Sequence, residues 1–358
     1  MEIYKRPSGL SREKILPLNS NNKLREQYKI IEGNILGNFR FGLLLEELDI
    51  LAGETANLYV AQFYNNARIV TAAIDQILLR DVFRIDEDII LKSRVNYVGT
   101  TSMEIGIRIE QIINNKNIHI ATCYFTMVAR LGNIDNDYGA KLPPLEYVED
   151  LDKVRAQNAI KRKKRYLKEQ KNTATSLDPK EFENLFSLYY KSKKEDGNIF
   201  IGDTIIESWE RTYPEHKNPN QTIFGGYLAR KAYELSSICS DTASTNRSLI
   251  GAVNRINFFY PVLIGDKLKY TSKIVDTTGP YISIESNIYK IPRGEKNISA
   301  LTNSCFFTFI NVDDKLKPID AIKVYPYTLE DCIKTTIAKR NLKLIMEESS
   351  PLLIKDLC

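Results

Sequence analysis

Two stretches of the chain repeat the same order of predicted elements, and this repeat limits the folds that the chain can adopt. The first stretch, about residues 35–131, opens with the helical pattern GLLLEELDILAGETANLYV and continues into segments rich in β-branched and aromatic residues. The second, about residues 203–312, opens with GGYLARKAYELSSICS and continues in the same way. Gly99 and Gly279 fall at corresponding turns. An internal repeat of this length predicts two copies of one structural unit.

Each unit reads as a helix followed by an antiparallel meander, which predicts an α+β fold whose sheet curls around its helix. Both helical segments are apolar over much of their surface, which favours a helix wrapped by a sheet over one lying on its outside. We also expect a strand before each helix, and IIESWERT is the candidate before the second one.

The composition favours a globular protein of two domains and gives no sign of a membrane span. A chain of 358 residues with 43% hydrophobic and 27% charged residues suits two globular domains. No apolar run approaches the roughly 20 residues of a membrane span, and the N-terminus has no apolar signal segment. The five cysteines are scattered, which argues for a reducing compartment and against a metal site. The net charge of +5 is compatible with an anionic ligand without requiring one.

The repeat divides the chain into five predicted parts. We expect an N-terminal extension over residues 1–30, a first unit over 31–135, a charged and partly helical linker over 136–196, a second unit over 197–315 and a C-terminal extension over 316–358. The linker run KRKKR, residues 161–165, is either a solvated helix face or a patch for nucleic acid. Few aromatic residues accompany it, so the first interpretation is favoured and no nucleic-acid partner is expected.

The segment NPNQTIFGGYLARKAYEL contains the clearest chemical signal. Gly225 and Gly226 lie where a loop enters the second helix, and paired glycines there let a substrate approach the backbone. The first turn of a helix presents unpaired N–H groups and a partial positive charge. A carbonyl directed at that end would have its developing oxyanion stabilised. The alternative is that the glycines only allow a tight loop.

This segment resembles the helix-entry motif of hotdog-fold acyl-CoA thioesterases, in which an Asn is followed after five residues by an aromatic or His and two glycines. Here the Asn is Asn218 and the aromatic is Phe224. The first-half segment NFRFGLLLEELDILAG resembles the matching motif of the long two-hotdog enzymes, the mitochondrial acyl-CoA thioesterase type, and VGTTSMEI and FYPVLIGDKL are similar to that type as well. The resemblance extends from about residue 24 to 312.

The resemblance implies two hotdog folds in tandem and hydrolysis of fatty acyl-CoA to fatty acid and coenzyme A, without a cofactor or metal. It also implies a homo-oligomer, a trimer of two-hotdog chains, in mitochondria, with a cytoplasmic location as the alternative. A non-catalytic acyl-CoA-binding or regulatory hotdog protein remains the competing interpretation. A hotdog hydratase is disfavoured because neither helix motif contains the His that it needs.

The family pattern also assigns catalytic residues. Its carboxylate lies nine residues after the aromatic or His position, which is Asp49 in the first half but Tyr233 in the second. The resemblance therefore implies that Asp49 activates water or attacks directly, and that Asn218 orients water or substrate. The N–H of Gly226, with Gly225, would polarise the thioester oxygen.

Alternatives to these assignments remain open. Asp49 could be an ordinary helix charge, with Glu46 and Glu47 as the fallback acids. Phe224, Gly225 and His216 are the predicted substrate contacts. At the pseudo-symmetric position Phe41 replaces the first glycine, so we expect one working site per chain.

Overall fold

The computed structural model describes residues 6–33, 35–133, 136–171, 180–181, 183–184, 187, 198–218, 221–298 and 300–347. Both predicted repeats are present within these residues. Elements of the first half are β1 (Ser11–Leu16), α1 (Asn22–Tyr28), α2 (Phe41–Val60), β2 (Arg68–Leu79), β3 (Ile89–Val98), β4 (Ser102–Ile113), β5 (Lys116–Leu131) and β6 (Tyr138–Gly139). The connecting segment contains α3 (Asp150–Lys171) and β7 (Ile199–Phe200). Elements of the second half and the tail are β8 (Ile206–Arg211), α4 (Gly225–Ser240), β9 (Arg247–Phe258), β10 (Lys267–Thr278), β11 (Tyr281–Ile291), β12 (Ala300–Val312), β13 (Val324–Tyr325) and α5 (Leu329–Glu347).

One antiparallel sheet runs through both halves. Its described strands follow the order β1-β3-β4-β5-β2-β9-β12-β11-β10-β8, so the second half repeats the first in reverse. The halves join where β2 pairs with β9, from Ala73 opposite Asn257 to Leu78 opposite Ala252. This order relates the two halves by a pseudo-twofold axis, which places corresponding features of each half on opposite sides of the join.

The long helices α2 and α4 lie inside the curled sheet and contact one another. The residues spaced along α2 as a helical apolar face, Leu44, Leu48, Leu51 and Ala52, are all buried. The helices approach closely at Gly226, where an added Cβ would lie 2.8 Å from the Cα of Glu46. Each half is therefore a hotdog fold, and the predicted α+β tandem arrangement is confirmed.

An edge strand precedes the central helix in each half. The predicted strand before the second helix is β8, which pairs with β10. Its counterpart β1 lies inside the predicted N-terminal extension, and it pairs with β3 from Ser11 opposite Arg94 to Leu16 opposite Ile89. The extension over 1–30 thus contains an integral strand of the first hotdog. The strand has a charged, mostly exposed sequence, SREKIL, which is typical of a protected sheet edge and hides the strand from a search for apolar alternation.

Helix α3 of the linker connects the two halves. Arg162 donates from Nε and Nη2 to Glu104 on β4, at 2.9 and 2.6 Å. Its guanidinium also lies 3.6 Å from the ring centroid of Tyr124. One turn further along, Tyr166 stacks under the guanidinium of Arg255 on β9, at 3.3 Å. One member of the KRKKR run is therefore used in an internal ion pair, while the linker beyond residue 171 lies largely outside the described residues.

We predict that Arg162→Met lowers the free energy of unfolding by about 3 kcal/mol, because it leaves the buried Glu104 carboxylate without its guanidinium. Urea unfolding measures the change. Adding Glu104→Gln to Arg162→Met should restore part of the loss, since no uncompensated charge then remains. Equal stability of Arg162→Met and the unmodified protein would contradict the role given to this pair.

The C-terminal extension packs on the second hotdog. The predicted helix near 328–346 is α5, and Thr335 Oγ1 donates to the carbonyl of Val275 on β10 at 2.8 Å. Residues 348–358 lie outside the described part. Among the described helices, none is long and apolar enough to cross a membrane.

Candidate active site

The carboxylate of Asp49 sits where the two halves meet. It lies in the middle of α2 with 3% of the residue exposed. Its Oδ2 accepts the N–H of Gly226 at 2.7 Å, and its Oδ1 accepts the hydroxyl of Thr71 at 2.6 Å. The first half thus supplies the acid and the second half supplies the helix start, which is the pairing that the two sequence motifs predicted. Thr71, on β2, was not predicted.

Burial raises the pKa of Asp49 to about 6, even though hydrogen bonds from Thr71 and Gly226 favour the ionised form. A carboxyl group that titrates near neutrality can both accept and return a proton at physiological pH. Strong desolvation together with specific donors in a cavity is a combination found at catalytic groups.

A cavity of about 770 Å³ opens beside this carboxylate. Residues from both halves line it, and they include the polar side chains of Asp49, Asn57, Thr71, Asn218 and Thr222. Its apolar wall includes Ile50, Ile69, Val70, Met127, Ile223, Phe224, Leu228, Phe258 and Val262. A predominantly apolar cleft with a few convergent polar groups is the usual form of a small-molecule site.

Gly225 forms the part of the wall nearest the acid. A Cβ added there would lie 3.1 Å from Asp49 Oδ2 and 3.2 Å from the ring of Phe258. Any side chain there would therefore crowd the carboxylate and the Phe258 ring. Within the described residues, the N–H of Gly225 donates to no backbone carbonyl, whereas that of Gly226 is used by Asp49. The Gly225 N–H is thus a donor at this helix start that is available to a substrate oxygen.

The loop before α4 carries the other predicted residues. Asn218 Nδ2 donates to Thr222 Oγ1 at 2.8 Å, and Asn218 Oδ1 accepts the Thr222 N–H at 3.2 Å. Asn218 therefore braces its own loop while lining the cavity. The ring of His216 instead stacks on Tyr227, with centroids 4.0 Å apart, and His216 is not among the described residues that line the cavity. The predicted contact of His216 with substrate finds no support in this geometry.

The two fallback acids on α2 are paired elsewhere. Glu46 accepts from Arg230 Nη1 at 3.3 Å, and Glu47 accepts from Lys14. Neither belongs to the described lining of the cavity, so Asp49 is the acid among the three that faces it. Among the described residues, no three His, Cys, Asp or Glu side chains converge as a metal ion would require.

The pseudo-symmetric position is filled by aromatic rings. Phe41 is fully buried and packs edge-on against Tyr233, with centroids 5.3 Å apart. The adjacent Glu234 is bound by Arg40 at 2.8 Å and by Arg230 at 3.0 Å. The counterpart cavity has a volume of about 170 Å³. This side therefore has the aromatic ring of Tyr233 where the other side has the Asp49 carboxylate, and its cavity is smaller.

The chain is similar in sequence to known proteins over most of its length. No protein-family model matches the chain. It is 29% identical to acyl-coenzyme A thioesterase 9, mitochondrial, of Homo sapiens, over 87% of this chain and 73% of that protein. It is 28% identical to the Bos taurus protein of the same name, over 96% and 79%, and 29% identical to acyl-coenzyme A thioesterase 4, mitochondrial, of Humulus lupulus, over 86% and 61%.

Solved structures with a similar fold include an acyl-ACP thioesterase from Bacteroides thetaiotaomicron, with a TM-score of 0.49 at 10% identity over 84% of this chain and 98% of that one. An acyl-CoA hydrolase from Staphylococcus aureus gives 0.39 at 18% identity, over 41% and 90%. The fold and the shared site define a tandem hotdog protein. Over most of its length, the chain resembles mitochondrial acyl-CoA thioesterases.

Proposed function

We propose that this protein is an acyl-CoA thioesterase that hydrolyses fatty acyl-CoA to the free fatty acid and coenzyme A. The observation that carries the proposal is the buried Asp49 carboxylate, which lies against the Gly225–Gly226 helix start at the wall of a large cavity. The resemblance to thioesterases over most of the chain supports the same reaction.

The proposed mechanism uses Asp49 as a general base. The thioester oxygen would accept the N–H of Gly225, and a water between Asp49 and the carbonyl carbon would be the nucleophile. Asp49 takes a proton as the water attacks, and the tetrahedral intermediate expels the coenzyme A thiolate. The thiolate then takes that proton, which restores the carboxylate. Direct attack by Asp49, to give an anhydride that a second water hydrolyses, is the alternative route.

In this scheme, Thr71 and Gly226 position the base. Their two hydrogen bonds fix both carboxylate oxygens, and each oxygen keeps a second lone pair that could accept a hydrogen bond from the water. The amide of Asn218, which also lines the cavity, would orient the water or the substrate, as the motif implies. The thioester would lie in the part of the cavity that Gly225 lines.

Thr71→Val is expected to lower kcat for thiol release by about tenfold, because Asp49 loses the donor that fixes Oδ1. It should also move the acid limb of the kcat/KM profile to higher pH, since a hydrogen bond that lowers the pKa of Asp49 is removed. Thr71→Ser keeps the hydroxyl and should remain within about threefold of the unmodified enzyme. An unshifted limb in Thr71→Val would contradict this positioning role.

The reaction itself is tested by following thiol release from acyl-CoAs of increasing chain length. We expect turnover of at least part of the series, and the dependence of KM on chain length reports how deep the acyl group enters the cavity. Binding of acyl-CoA without any hydrolysis would favour the non-catalytic interpretation instead.

The proposal also includes the oligomeric state of the protein and its location in the cell. The resemblance supports a trimer of two-hotdog chains in mitochondria. A mass in solution of three times the 41.1 kDa chain is the expected result. A chain that stays monomeric at micromolar concentration would contradict the trimer without affecting the reaction.

A further inference from the structure

Two arginines face each other at the rim of the large cavity. Arg68, the first residue of β2, lies directly opposite Arg130 on the neighbouring strand β5. Like charges in such a cross-strand pair repel and are unfavourable without a counter-anion. The carboxylate of Asp137 partly balances them: Oδ1 accepts from Arg68 Nη2 and Oδ2 accepts from Arg130 Nε, both at 2.9 Å. Two guanidinium groups and one carboxylate leave a net positive charge at this point.

The arginine pair belongs to the same cavity as the proposed base. Arg68, Arg130 and Asp137 all line it together with Asp49. Thr71, which binds Asp49, lies three residues along β2 from Arg68, a separation of about 10 Å along a strand. The side chains of Arg68 and Arg130 are 18% and 33% exposed, so a ligand that extends from the acid can reach both.

The pseudo-symmetric half lacks this arrangement. Arg247, the first residue of β9, lies opposite Val312 in the sheet and donates from Nη2 to the carbonyl of Leu36 at 2.9 Å. Of the two equivalent positions, the arginine pair therefore occurs on the side that has the carboxylate and the large cavity. Arg68 also donates to the carbonyls of Gly132 and Asn133, and Arg130 to the carbonyl of Asp137, so part of each guanidinium group is already used within the fold.

We propose that Arg68 and Arg130 bind a phosphate group of the coenzyme A moiety, with Asp137 holding the two guanidinium groups in place before substrate arrives. The inference rests on the proposed thioesterase function. Coenzyme A carries a diphosphate and a 3′-phosphate beyond its pantetheine arm, so its anionic groups lie at some distance from the thioester. The guanidinium group matches phosphate oxygens with paired N–H donors, and two of them can bind one phosphate. The arm would then run along β2 from the rim to Asp49.

The test compares Arg68→Met and Arg130→Met on two substrates, an acyl-CoA and the S-acyl-pantetheine with the same acyl group, which has no phosphate. For acyl-CoA we expect KM to rise about tenfold or more while kcat stays within about threefold. For the pantetheine thioester both constants should remain within about twofold of those of the unmodified enzyme. Arg68→Lys, which keeps a charge, should restore part of the affinity for acyl-CoA.

A third substrate identifies the phosphate. If KM of the variants rises as much with acyl-dephospho-CoA as with acyl-CoA, the diphosphate is the group bound. If KM of the variants for acyl-dephospho-CoA stays close to that of the unmodified enzyme, as for the pantetheine thioester, the 3′-phosphate is the group bound. Equal losses on acyl-CoA and on S-acyl-pantetheine, or no loss on acyl-CoA, would overturn the inference. An unmodified enzyme that hydrolyses no acyl-CoA at all would instead contradict the proposed function.

Discussion

Replacing Asp49 with Asn should lower kcat for thiol release from acyl-CoA by about 10²–10⁴-fold. The amide has the shape of the carboxylate and can still contact Gly226 and Thr71, but it cannot accept a proton from water. Steady-state kinetics on an acyl-CoA that the enzyme accepts measures the change.

The matched control is Glu47→Gln, which removes a carboxylate from the same helix. Glu47 pairs with Lys14 rather than facing the cavity, so kcat should stay within about twofold. Retention of more than about a tenth of the activity in Asp49→Asn, or an equal loss in Glu47→Gln, would contradict Asp49 as the base.

Asp49→Asn should also stabilise the folded protein at high pH. The folded-state pKa of Asp49, about 6, exceeds its ordinary value of 3.8, so ionising this group costs folding free energy. The cost is absent below about pH 4, grows as the pH rises to about 6 and is constant above that, reaching about 3 kcal/mol. Asp49→Asn should therefore be more stable than the unmodified protein at about pH 8 by up to that amount, and the gain should disappear near pH 4. Urea unfolding at the two pH values tests this, and a variant that is less stable at the higher pH would contradict it.

Gly226→Ala should disrupt both the fold and the reaction. A Cβ at this position would lie 2.8 Å from the Cα of Glu46 and 3.0 Å from the Cβ of Asp49, so α2 and α4 would have to separate. We expect a loss of about 3 kcal/mol or more in the free energy of unfolding. Because the Gly226 N–H would move away from Asp49, kcat in the protein that still folds should fall by about 10²-fold.

Gly202→Ala is the control for this substitution, since a Cβ there meets nothing within 4 Å. Its stability and activity should both stay close to those of the unmodified protein. If Gly226→Ala behaved like Gly202→Ala in unfolding and in kinetics, the close approach of the two helices would not be needed for either property.

Much of the fold could be predicted from the sequence because the repeat contains strong local signals. Each central helix has a long apolar pattern, and the β-branched segments after it are long enough to be identified as strands. A strand before the first helix was expected, but β1 was not located in the sequence, because a short charged edge has no alternation to detect. Its counterpart β8 was identified because IIESWERT contains β-branched and aromatic residues.

The candidate site was predictable only where residues follow a motif. Asp49 and Gly226 each occupy a fixed place relative to a helix start, and the packing of α2 on α4 brings them together. Thr71 gave no such signal, because its contact with Asp49 depends on how β2 curls around α2. The pairing of Arg68 with Arg130 depends on the register of strands that are distant in sequence, which no local pattern reveals.

The central claim, that Asp49 is the base, is tested most directly by the pH dependence of kcat/KM from about pH 4.5 to about 8.5. An S-acyl-pantetheine is the substrate of choice, because phosphate monoesters also titrate near pH 6. We expect kcat/KM to rise tenfold per pH unit below about pH 6 and to level off above it, as the pKa of Asp49 requires. A profile that is flat through this range, or the same acid limb in the residual activity of Asp49→Asn, would contradict the account.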